Sequence, residues 1–145
     1  MNERLKSIID LKKYPIYDLN SPIIQNLIKK CKDELDQFSC STIPNFILPK
    51  SLEIMNLELE KQLDEVYMSK EKINPYLYAK DDPELPKDHP KRTFMNRFNG
   101  YLNSDCFLKG SEMKFLYETD ELLKFVSLCL GVSPIYRWAD PLACH

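Results

Sequence analysis

The stretch Thr93-Phe-Met-Asn-Arg-Phe-Asn-Gly-Tyr-Leu-Asn-Ser-Asp105 decides whether this chain is all helical or mixed. Its side chains alternate. Phe94, Phe98 and Leu102 fall on one face, with Asn96 and Gly100 between them, and Met95, Arg97, Asn99 and Tyr101 fall on the other. A period of two with aromatic residues is the signature of a β-strand. The face that carries Arg97 and Asn99 is polar enough to line a cavity.

Helical patterns lie on both sides of this strand. Upstream, Ser21-Pro22 supplies an N-cap and a first-turn proline. Ile24, Leu27, Ile28, Cys31, Leu35 and Phe38 then recur at helical spacing, with a charged face opposite. A second helix is expected from Pro49, its buried stripe being Leu52, Met55, Leu59, Leu63 and Val66. Between the two, residues 40–49 read as a short edge strand or extended segment, interrupted by Pro44. Downstream, Ser111 or Thr119-Asp120 can cap a helix that Gly131 ends. Its residues Leu122, Leu123, Phe125, Val126, Cys129 and Leu130 are apolar nearly all round, which predicts deep burial. Residues 133–138 return to strand character. Residues 1–20 read as a loosely packed lead-in, and 69–92 as an irregular Pro-rich loop anchored by Tyr76 and Tyr78. The expected organisation is one domain over 1–145, of α+β class. Strands are few for so many helices, so the final helix and strand call for a larger sheet.

The 145 residues, 43% hydrophobic and 29% charged, suit a globular domain. A net charge of −2 gives no basic surplus for nucleic acid. No apolar run approaches the roughly 20 residues of a membrane span, and the N-terminus lacks the apolar core of a signal peptide. A cytoplasmic location follows as the default. Three glycines cannot build a Walker or dinucleotide loop. Five cysteines without a Cys-x-x-Cys pair speak against a disulfide framework or zinc ribbon. Cys31 and Cys129 read as small buried hydrophobes.

Candidate chemistry is sparse. His89 and His145 are the two histidines, too few and too far apart in sequence for a metal site of their own. Cys144 and His145 are adjacent, so an extended chain points them apart. Asp81 and Asp82 read as a solvated turn. Asp140, after Trp138-Ala139, stands in an apolar context where an unpaired charge is costly, and Arg92, Arg97 or Arg137 is its expected partner.

Four stretches taken together resemble a known family. They are NPYLYAKDDPELPKDHPKR (74–92), RFNGYLNSD (97–105), ELLKFVSLCLG (121–131) and PIYRWADPLA (134–143). In order and spacing, over roughly residues 35–143, they resemble the N-terminal half of small Fe(II)/2-oxoglutarate-dependent oxygenases. That group includes enzymes that hydroxylate or chlorinate free amino acids such as lysine. The resemblance implies N-terminal helices and the first strands of a double-stranded β-helix, or jelly roll, incomplete in this chain. It implies an amino-acid-like substrate, with Fe(II) and 2-oxoglutarate in the complete enzyme and neither held by this chain alone. The family's first iron ligand, in a His-x-Asp or His-x-Gly motif, comes a strand and a turn beyond the Ala-Asp-Pro-Leu stretch, so none of the metal ligands matches here. Two positions carry over. Arg97 would face the carboxylate of 2-oxoglutarate or substrate, and Asp140 would bind a substrate amine or brace the site. The chain is thus expected to be a truncated or split N-terminal portion, inactive alone. Two other readings compete. One is a non-catalytic module that pairs with a second half, another partner or itself. The other is a self-contained α+β domain with a Pro-rich binding loop.

Overall fold

The computed structural model describes residues 2–137. It is a mixed α+β fold, with five helices and one two-stranded antiparallel sheet among the described residues. The chain divides into two units. The first takes residues through Lys61 together with those from Phe107 on, and the second is Gln62–Cys106. No helix among the described residues is long and apolar enough to cross a membrane.

The first unit is helical. It contains α1 (Glu3–Ile8), α2 (Pro22–Phe38), α3 (Pro49–Glu60), α4 (Glu112–Glu118) and α5 (Asp120–Leu130). Its helix ends are set by local chemistry. The Asn2 side chain accepts from the Arg4 and Leu5 amides, and Ser21 Oγ accepts from the Ile24 amide ahead of Pro22. Ser111 caps α4, and Thr119 occupies the N-cap position of α5 without a side-chain bond. Gly131 ends α5 at φ +67°, a left-handed conformation in which a Cβ would be strained.

The core of this unit includes the expected Ile24, Ile28, Cys31, Met55, Phe125 and Cys129, and also a segment that sequence periodicity left out. Residues 1–20 are not a loose lead-in: Leu5, Ile8, Ile9, Leu11, Tyr14 and Ile16 are all buried, and Ile8, Ile9 and Ile16 are fully so. They pack with Ile24, Ile28 and Cys31 of α2, Met55 of α3, Leu116 of α4, and Phe125 and Cys129 of α5. The segment after α2 is not a strand. Its one ladder contact is an isolated antiparallel bridge, Ile9 to Ile47, flanked by Asp10 N–H to Phe46 O and Leu48 N–H to Ile8 O. Phe46 lies between Tyr14 and Phe125, at centroid distances of 5.7 and 6.1 Å.

Two helices are less buried than their patterns suggest. The expected stripe of the second helix runs past its real end. Leu52 and Leu63 are exposed, Leu63 belongs to a separate 3₁₀ turn (Leu63–Glu65), and the chain enters a strand at Tyr67. On α5 only Phe125 and Cys129 are buried, while Leu128 and Leu130 remain exposed. Residues 132–137 do not form the expected strand. No second layer of structure covers the outer apolar side of α5 among the described residues.

A carboxylate ties α3 to α4. Glu58 accepts from Ser111 Oγ (2.8 Å) and from the amides of Glu112 (2.8 Å) and Met113 (3.4 Å). Buried Ser51 returns a hydrogen bond to the Glu112 carboxylate. Arg4 adds its guanidinium to the Gly110 and Ser111 carbonyls and lies over the Phe115 ring.

The second unit is a hairpin. Strand β1 (Tyr67–Ile73) pairs with β2 (Met95–Tyr101), in register from Tyr67–Tyr101 to Ile73–Met95. The alternation read at 93–105 is therefore realised as a strand. Its partner β1 was hidden, because Tyr-Met-Ser-Lys-Glu-Lys-Ile is charged in its second half and reads as the start of the loop.

Candidate functional site

The hairpin carries the sequence-derived candidate Arg97. Register puts Arg97, Asn99 and Tyr101 on one face, opposite Glu71, Ser69 and Tyr67. This is the better covered face of β2: Arg97, Asn99 and Tyr101 are half-buried, whereas Phe98 on the other face is 65% exposed. The polar residues thus hold the sheltered side and the aromatic residue faces outward, the reverse of an ordinary half-buried strand.

On that face the side chains form a small network. Arg97 Nη2 donates to Tyr101 Oη at 3.2 Å. The Asn99 amide is placed with its oxygen toward the guanidinium, because the reverse orientation would set donors against donors. So placed, the oxygen accepts from Arg97 Nε (2.6 Å) and Nη2 (2.9 Å) and from Tyr101 Oη (3.0 Å), and the amide nitrogen donates to the Phe98 carbonyl (3.0 Å). The Tyr67 and Tyr101 rings lie 6.3 Å apart, centroid to centroid.

The hydrogen-bond partners of Arg97 are neutral. Arg92 is ion-paired with Asp81, Arg137 with Asp120, and Arg4 is spent on backbone carbonyls. Among the described residues no carboxylate lies within ion-pair distance of Arg97, although Glu71 stands opposite it across the ladder. A half-buried guanidinium held in place by an amide and a phenol, with no carboxylate among the described residues in ion-pair range, is suited to an incoming carboxylate.

The loop between the strands is ordered from within. Asn74 is buried at 2% exposure and all its polar atoms are used. Its Oδ1 accepts from the Tyr76 and Tyr78 amides, both at 3.0 Å, and Nδ2 donates to the Lys91 carbonyl at 2.7 Å. Its backbone N–H donates to the Tyr78 carbonyl at 3.0 Å and closes the turn, and Leu77 is held at φ +65°. Farther along, the Arg92 guanidinium grips Asp81 through two bonds, Nε to Oδ1 at 3.0 Å and Nη2 to Oδ2 at 2.8 Å, and also reaches the Leu85 carbonyl. Asp81 is an exposed loop residue, as expected, and is in addition ion-paired. Hydrogen bonding to Arg92 holds its carboxyl below the ordinary range for aspartate. A cavity of about 290 Å³ is lined by Asn74, Tyr78, Lys80, Asp81, Asp82 and Lys91.

The remaining candidates separate. Asp140 lies outside the described residues, as do Trp138, Cys144 and His145. Arg92 and Arg137, two of its three expected partners, are committed to other carboxylates. His89 Nδ1 accepts from the Lys91 amide and caps the short turn Pro90–Arg92. Among the described residues no three His, Cys, Asp or Glu side chains converge to hold a metal ion, so these residues do not fit an iron site. Asn74 was missed by sequence reading. Its signal was the Asn-Pro dipeptide that opens the loop, a turn marker rather than a site marker.

Comparison with known protein families, with curated proteins and with solved structures finds no match.

Proposed function

We propose that this chain is the N-terminal part of an Fe(II)/2-oxoglutarate-dependent oxygenase acting on an amino-acid-like substrate by C–H hydroxylation or halogenation. Its helical unit and its hairpin would be the support and first strands of a jelly roll. The observation that carries this reading is the state of the hairpin. Tyr67, Met68, Met95 and Phe98 are 70%, 50%, 53% and 65% exposed, on a sheet of only two strands. Two strands cannot bury such a surface by themselves, and a larger sheet can. In this reading Arg97 faces the carboxylate of cosubstrate or substrate, while Asn99 and Tyr101 keep its fork oriented. The ordered Pro-rich loop borders the cleft. The described residues contribute binding and orientation, and no chemical step is assigned to them.

The test is the coding sequence downstream together with its product. The reading expects a His-x-Asp or His-x-Gly motif following the present sequence. It expects the longer product to convert 2-oxoglutarate to succinate only with Fe(II) and an amino acid present. Arg97→Ala in that product should lower turnover by about 10- to 100-fold, the loss of a charge-assisted contact. A longer product without the motif and without Fe(II)-dependent succinate release would overturn the reading.

The exposed side chains on both faces of the hairpin favour a second reading, a non-catalytic module that pairs through it. Sedimentation separates the two. Association that rises with concentration and is abolished by Phe98→Glu, with no succinate formed, selects the module.

A further inference from the structure

Asn99 of β2 is the only asparagine in the chain that is followed by glycine. Packing requires that glycine. A Cβ on Gly100 would stand 2.9 Å from Val66 Cγ1 and 3.2 Å from Met68 Sδ. Its presence has a chemical consequence. An asparagine loses its side-chain nitrogen when the next residue's amide nitrogen attacks Cγ, and glycine, with no Cβ, obstructs that attack least. The Asn99 carbonyl is also activated. Its oxygen accepts from Arg97 Nε (2.6 Å), Arg97 Nη2 (2.9 Å) and Tyr101 Oη (3.0 Å). Donors so placed, two of them on a cation, stabilise the negative charge that the oxygen takes up when Cγ is attacked. We propose that Asn99 is a deamidation site, directed by Arg97, whose product carboxylate is held by that same guanidinium.

The paired strand holds the reaction back. Extended backbone at Asn99 keeps the Gly100 nitrogen away from Cγ, so ψ of Asn99 must rotate out of the β region before attack. Asn99 lies two residues from the end of β2, in a sheet of two strands, so a local opening suffices. Gly100 is exposed, and hydroxide and water reach it. Rotation at ψ carries Gly100 and Tyr101 away with the chain. Arg97, on the N-terminal side, stays where it was. The guanidinium is therefore the donor that remains with the amide through the reaction.

The chemistry balances with water alone. The Gly100 N–H gives its proton to hydroxide, and the nitrogen bonds to Cγ. The Cγ–Nδ2 bond breaks, and the side-chain nitrogen leaves as ammonia with a proton from water. Asn99 and Gly100 are then joined through a cyclic imide. Water adds to one of its two carbonyls. Addition at Cγ breaks the bond from Cγ to the Gly100 nitrogen and restores an ordinary backbone with an aspartate. Addition at the backbone carbonyl leaves isoaspartate, with the chain running through the side chain. Arg97 polarises the Cγ carbonyl, so aspartate is favoured, the reverse of a flexible peptide. In sum, one amide and one water give one carboxylate and one ammonia, with no change of oxidation state. The new carboxylate takes the place of the amide oxygen beside Nε and Nη2. Arg97 then carries its own counter-ion and no longer receives an incoming carboxylate. That last effect rests on the ligand role proposed for Arg97, and the deamidation itself does not.

The experiment incubates the whole folded chain at mildly alkaline pH and maps its peptides by mass spectrometry, with fragmentation that separates aspartate from isoaspartate. Asn99 should convert first among the asparagines, and aspartate should exceed isoaspartate. The same chain in denaturant should give an excess of isoaspartate. Arg97→Ala, checked for native circular dichroism, should slow conversion about 10-fold, less than a fully buried oxyanion donor is worth, and make isoaspartate the main product. Three results would each sink the proposal. They are conversion in Arg97→Ala as fast as in the parent, an isoaspartate excess in the folded parent, or conversion of Asn20 or Asn103, each followed by serine, ahead of Asn99. In the Asn99→Asp chain the new carboxylate should stay ionised to lower pH than in an unstructured peptide, and an unshifted titration overturns the pairing with Arg97. In the longer product, Asn99→Asp should lower succinate release as Arg97→Ala does. Unchanged release there, with the mapped products as expected, removes the ligand role of Arg97 and leaves the deamidation standing.

Discussion

The helical unit and the hairpin bury their side chains in opposite ways. In the first, Leu5, Ile8, Ile9, Ile16 and Ile24 are almost wholly excluded from water, and five helices share one apolar cluster. In the second, only Ile73, Asn74 and Leu102 are buried, and the strand aromatics are largely exposed. One region gains its order from the hydrophobic effect and the other from hydrogen bonds. That difference shows which region leaves its apolar side chains exposed among the described residues. A cluster such as the helical one is complete among its own residues. A two-stranded sheet with an outward row of Met68 and Phe98 is complete only in its backbone pairing.

Core truncation should break the symmetry of this comparison most strongly. Ile24→Ala removes a fully buried side chain and should cost about 2–5 kcal/mol of stability in denaturant unfolding. Phe98→Ala, at an exposed position, should change the same midpoint by no more than about 0.5 kcal/mol. Equal effects would mean that the hairpin face is covered in the folded protein.

A smaller effect is expected at the hydrogen-bonded loop. Asn74→Ala leaves the Tyr76 and Tyr78 amides and the Lys91 carbonyl without the side-chain partner they have now. It should cost about 1–3 kcal/mol. Amide exchange should localise the change to residues 74–92 and leave the helical unit protected. Loss of protection in α2 or α5 would refute the division of labour.

Acid should produce the mildest change. Asp81 has its folded pKa depressed by Arg92, so the pair contributes above the unfolded value and its contribution disappears as pH falls through the lowered folded value. Its carboxylate is partly exposed, which keeps the contribution small. The loop should therefore loosen at pH below the ordinary aspartate range while the helices persist, and Asp81→Asn should remove that pH dependence. The hydrogen-exchange rate of the Asp82 and Leu85 amides is the readout.

Some of this was legible in the chain itself. Ser21-Pro22, Ser111 and Gly131 mark helix ends, because capping depends on a residue and its nearest neighbours. The strand at 95–101 follows from its alternation, and Arg97 was correctly assigned to its polar face. The depth of Ile8, Ile9 and Ile16 was not legible. A six-residue helix and a turn carry too little periodicity to show a buried face, and their burial depends on α2, α3 and α5 arriving around them. Strand β1 was obscured for a related reason, since Lys70, Glu71 and Lys72 make it look like loop until it is paired. The network on Arg97 needed the strand to place Asn99 and Tyr101 at two-residue spacing on one side.

The sequence by itself determined the α+β class, the helix caps, the strand at 95–101 and the face of it that carries Arg97, because these depend on local geometry and period. Only the tertiary structure decided which helix faces meet and that residues 5–16 form the deepest packing. It also decided that Cys31 of α2 and Cys129 of α5 enter one apolar cluster. Contacts between segments distant in sequence are chosen by which apolar surfaces can be buried together, and no local pattern encodes that choice.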